Sequence, residues 1–80
     1  MAQYRVIYRT PVVDRGEAHV AAAGIHAAQD EARSVVRILT GHSPDTILIL
    51  AVAAPDGPTL WWDPALYTPT SKELSHVGSR

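Results

Sequence analysis

Four histidines are the first residues with chemical potential: His19, His26, His42 and His76. A protein zinc site draws on closely spaced pairs such as H-x3-H, completed by cysteine or a carboxylate. His19 and His26 stand seven residues apart and carry no such signature. The chain has no cysteine, so thiolate ligands and disulfides are both excluded. The histidines therefore read as solvent-facing polar residues, and no metal is expected.

Covalent catalysis would need a serine or threonine beside an orienting base. Ser34 falls within a helical pattern, and Ser43 precedes Pro44 in a turn. Neither lies in a G-x-S-x-G elbow, and Ser43 next to His42 is adjacency rather than a triad. Gly16, Gly41 and Gly57 are isolated turn glycines, so a phosphate-cradling loop and a nucleotide cofactor are not expected either. The chain reads as non-enzymatic and free of cofactors.

Arginine offers a nucleic-acid reading. Arg5 and Arg9 share a strand face and Arg15 lies in the adjoining loop, while Tyr4 and Tyr8 could stack bases. Against this, the net charge is −1, with seven basic and eight acidic residues. There is no basic excess to draw a polyanion. Tyr4, Val6 and Tyr8 also fit a core face.

The tryptophans point elsewhere. Residues 47–54 are an unbroken apolar run, followed closely by Trp61 and Trp62. Consecutive strand residues face opposite sides, so one tryptophan belongs to a core and the other to the second sheet face. The candidate interface is Ile47, Ile49, Trp61, Trp62, Leu66 and Tyr67. Its cover could be the chain's own 65–67 segment, a second copy or another protein, because large apolar patches are rarely left open.

These residues must be positioned by a small set of elements. Residues 4–9 read as a strand, with Tyr4, Val6 and Tyr8 on one face. Residues 17–27 are ambiguous. As a strand they place Ala18, Val20 and Ala22 inward, with Gly24 as a bulge that returns Ile25 and Ala27 to the inner face. As a helix they begin at an Asp14 cap and run on to Thr40. Residues 28–40 form an amphipathic helix, with Ala28, Ala32, Val35, Val36 and Leu39 on its apolar face and Gly41 beyond its end. Asp30 and Glu31 fall in the first turn of a helix so bounded.

Residues 46–53 read as a strand that is apolar on both faces, with Leu48, Leu50 and Val52 opposed to Ile47, Ile49, Ala51 and Ala53. A turn at 55–58 returns the chain as a strand over 59–62. Residues 1–63 thus form one α+β domain, and 64–80 a partly docked tail with one helical turn at 72–76. The fold expected is β-β-α-β-β, a mostly antiparallel sheet with one helix on one face. The alternative is β-α-β-β with one long helix.

Eighty residues bury a modest core, and without disulfides oligomerisation is the most available supplement. No run is long enough to span a bilayer, and no secretory leader is visible at the N-terminus. The expected compartment is the cytoplasm. The absence of Phe and Asn, with a single Lys against six Arg, matches the codon usage of a GC-rich genome such as that of an actinobacterium or its phage. The function expected is a small protein–protein interaction module, homo-oligomeric, accessory or phage-encoded and binding a host protein. The alternative is a nucleic-acid-binding regulator using Arg5, Arg9 and Arg15.

Overall fold

A computed structural model describes residues 1–68, which form a four-stranded sheet with one helix packed on it. The expected helical turn at 72–76 lies outside the described residues. The strands are β1 (Ala2–Arg9), β2 (Gly16–Ala22), β3 (Leu48–Ala53) and β4 (Thr59–Trp62), and the helix is α1 (Ile25–Thr40). Their order across the sheet is β2-β1-β3-β4, with every neighbouring pair antiparallel. Since β2 and β3 both oppose β1, they run parallel to each other, and α1 carries the chain between them over one face of the sheet.

The β1–β2 connection is closed by Thr10. Its backbone N–H donates to the Val13 carbonyl (2.8 Å), and its Oγ1 accepts the N–H of Val13 (3.0 Å). This buried hydroxyl satisfies a turn whose backbone would otherwise lack partners. In β2, Ala18, Val20 and Ala22 are buried while Glu17, His19 and Ala21 are exposed. The period of two prevails over alanine's helical preference because the apolar face is needed by the core.

Gly24 is not a strand bulge. It is the N-cap of α1, in extended conformation and without a side-chain cap, and Ala28 N–H makes the first helical bond to its carbonyl (2.9 Å). Ala27 is accordingly exposed, while Ile25 packs against the core. The earlier start also moves Asp30 and Glu31 out of the first turn, which holds no acidic residue. At the other end Gly41 adopts φ 76°, the left-handed conformation in which glycine is least strained. The buried stripe is Ala28, Ala32 and Val36. It stops there, leaving Ile38 and Leu39 75% and 77% exposed, so Leu39 does not join the core.

Two irregularities govern β3 and β4. Between β1 and β3 the pairing passes from Ile7–Ala51 to Tyr8–Ile49, which leaves Leu50 as an extra residue. A bulge of this kind turns the alternation over by one position. Ile47, Ile49 and Val52 therefore share the helix-side core, while Leu50 and Ala51 both belong to the opposite face. Strict alternation had put Leu50 with Val52 and Ala51 with Ile49. The second shift, between β3 and β4, pairs Val52 with Trp61 and Ala53 with Thr59, making Leu60 the extra residue.

Candidate interaction surface

The sheet carries two apolar clusters, one on each face. The larger lies under α1 and contains Val6, Val20, Ala28, Ala32, Val36, Ile47, Ile49 and Val52, with Trp61 packed against it. The smaller consists of Ile7, Leu50 and Ala51, all at most 1% exposed, packed by Trp62, Leu66 and Tyr67. The two tryptophans thus serve opposite faces, as consecutive strand residues must.

The cover of the second cluster comes from the chain itself. The Asp63 backbone N–H donates to the Leu50 carbonyl (2.9 Å), extending the β3–β4 ladder by one bond. Asp63 then organises a compact strap. Its Oδ1 accepts Ala65 N–H (2.9 Å), and its carbonyl accepts the N–H groups of Leu66 (3.0 Å) and Tyr67 (2.8 Å). A carboxylate that accepts a backbone N–H two residues ahead forms an Asx turn, here reinforced by one helical turn. The strap folds back and lays Leu66 and Tyr67, both half-buried, over Ile7, Leu50 and Ala51. The Arg15 guanidinium sits 5.3 Å from the centre of the Tyr67 ring, within cation–π range.

Of the six interface candidates, Ile47 and Ile49 are 2% and 4% exposed in the helix-side core. Trp61 packs with them, half-buried. Trp62, Leu66 and Tyr67 come together on the second face. Two residues that sequence reasoning passed over join the tryptophans. Leu60, 46% exposed, and Pro64 line with Trp61 and Trp62 an open, largely apolar groove at the β4 edge of the sheet. The signal for Leu60 lay in its adjacency to the Trp pair. Its outward position depends on the bulge, which is a property of pairing and not of composition.

Arg5, Arg9 and Arg15 each have a partner within the fold. Arg5 Nη1 lies 3.3 Å from Glu17 Oε2 on the neighbouring strand. Arg9 Nε donates to the Asp14 carbonyl (3.2 Å) and lies 3.6 Å from its carboxylate. Arg15 stacks on Tyr67. On the second face Arg5 is paired with Glu17 and stands opposite His19 in the β1–β2 register.

Ser43 Oγ accepts Asp45 N–H (3.4 Å) and caps a short 3-10 turn at Pro44–Thr46. Ser34 lines a shallow groove with Asp30, Arg33, Arg37 and Pro44. Among the described residues no group of three His, Asp or Glu side chains is placed to hold a metal ion, and no helix is long and apolar enough to cross a membrane. No protein-family model, curated protein or solved structure matches the chain.

Proposed function

We propose that this chain is a small non-enzymatic protein-interaction module whose working surface is the β4 edge, and that its first partner is a second copy of itself. The observation that carries this reading is the groove of Leu60, Trp61, Trp62 and Pro64, with no charged residue in its lining. Large aromatic side chains beside an exposed leucine are the composition of interface hot spots. A domain of this size without disulfides also gains most from association.

Main-chain pairing between β4 edges is disfavoured, since the Leu60 bulge and the flanking Pro58 and Pro64 blunt that edge. Side-chain packing across the groove is the mode this surface favours. The reading extends to a cytoplasmic accessory or phage-encoded protein that binds a host protein, on the GC-rich character of the residue usage.

Light scattering across a concentration series tests the self-association. A dimer is expected that dissociates with Kd raised at least about tenfold in Leu60→Lys, because the substitution places a charge at the centre of the patch. A strict monomer at the highest concentration overturns the homo-oligomer. Retention of a host protein by the wild type and not by Leu60→Lys would then make that protein the occupant of the same groove.

A further inference from the structure

We propose that the β2 edge of the sheet is a second interaction surface, and that its occupant is another copy of this chain, paired strand to strand about a two-fold axis at His19. The inference goes beyond the β4 groove, because the two surfaces are opposite ends of the order β2-β1-β3-β4 and one copy can use both. Among the described residues β2 has one strand neighbour, β1. In an antiparallel ladder alternate backbone N–H and C=O groups point away from the neighbour, so β2 presents an outward row of donors and acceptors.

Sheet edges are commonly blunted by proline, lysine, a bulge or short length. β4 has the Leu60 bulge and flanking prolines. β2 has none of these devices. It runs for seven residues without Pro or Lys, and its register with β1 is unbroken from Ala2–Ala22 to Tyr8–Gly16. Its one carboxylate, Glu17, lies 3.3 Å from the Arg5 guanidinium of β1, which offsets its charge.

A copy fits because the strand is complementary to itself. Antiparallel pairing centred on His19 aligns all seven residues, Gly16 with Ala22, Glu17 with Ala21 and Ala18 with Val20 of the copy. On the exposed face each Glu17 meets a small alanine and lies diagonal to the imidazole of the copy's His19. On the helix face the paired side chains are no larger than valine, so the backbones can approach. The helix adds a second contact. Arg33 Nε donates to the Ile47 carbonyl (3.5 Å) at the start of β3, so Val35 and Ile38, on the other flank of the buried stripe, turn toward the β2 edge. Pairing of the two β2 strands brings a second, antiparallel α1 alongside that flank, where Ile38 is 75% exposed.

The chain has no cysteine, so introduced thiols report on this pairing directly. His19 and Ala21 are both exposed on the same face of β2. In a Leu60→Lys background, which weakens the β4 groove, His19→Cys and Ala21→Cys chains are oxidised with glutathione disulfide. Across the axis the two thiols at position 19 stand opposite each other, with Cβ atoms about 5 Å apart. Those at position 21 are about 13 Å apart along the strands. His19→Cys is expected to form the disulfide-linked dimer at least about tenfold faster, because only its geometry lies near that of a disulfide. In the same background His19→Lys should raise the Kd of self-association, read by light scattering, about 3- to 10-fold, since it sets two ammonium groups face to face. Crosslinking at position 21 as fast as at position 19, or a Leu60→Lys chain that stays monomeric at every concentration, overturns the β2 pairing. Association indifferent to His19→Lys overturns the axis at His19. Undiminished association of Leu60→Lys with fast crosslinking at position 19 supports the β2 pairing and overturns the β4 groove as the self-association site.

Discussion

At Gly16 the backbone of β2 passes directly against the ring of Tyr8, its cross-strand partner. A Cβ at this position would lie 2.6 Å from the Tyr8 hydroxyl oxygen, and the ring atoms beside it are met as well. Gly16→Ala is therefore expected to lower stability by about 1–3 kcal/mol in chemical denaturation, the usual cost of overpacking. In a Tyr8→Ala background the same change should cost far less, which a double-mutant cycle reads directly. Gly41 is constrained for a different reason. Its positive φ makes Gly41→Ala cost about 1 kcal/mol although no atom obstructs the new methyl group.

Part of this residue-scale detail could be read from the chain. The opposed directions of Trp61 and Trp62 follow from strand periodicity alone. The role of Gly16 does not, since it depends on which ring the sheet register brings across from it.

Among the elements, α1 is the clearest case of a helix specified by its buried stripe and weakly specified at its start. Gly24 caps it with backbone alone, and a Cβ there meets nothing. Gly24→Ser should thus raise stability by a few tenths of a kcal/mol, measurable as a small upward shift in Tm. The strand β2 could be recognised from Ala18, Val20 and Ala22, yet its boundary with the helix was obscured because alanine-rich sequence suits both. The two bulges were hidden for a related reason. A run such as residues 47–54 offers apolar side chains at every position, so no polar residue marks where the alternation slips. The strap was half visible. Ala65, Leu66 and Tyr67 were identifiable as docking residues, but the Asx turn that aims them depends on Asp63, which reads equally well as the end of a domain.

For the molecule as a whole, the two clusters make the two tryptophans separable by experiment. Trp61 belongs to the larger core with α1, so Trp61→Ala should destabilise the fold by roughly 2–4 kcal/mol, a half-buried aromatic's share of the usual cost. Trp62→Ala should cost less in thermal unfolding and more in partner binding, since Trp62 borders both strap and groove. Equal loss of stability in both variants would argue against two independent faces.

The order β2-β1-β3-β4 has a consequence for the chain while it is being made. The ribosome delivers β1, β2 and α1 before β3, yet β1 lies between β2 and β3 in the finished sheet. Until β3 emerges, the nascent hairpin presents one full edge of β1, including Ile7, with no strand to receive it. Such an edge is a template for another chain. Slow translation of residues 41–53 should therefore lower the soluble yield in the cell, even though the completed sheet pairs β1 on both sides from Arg5 to Tyr8.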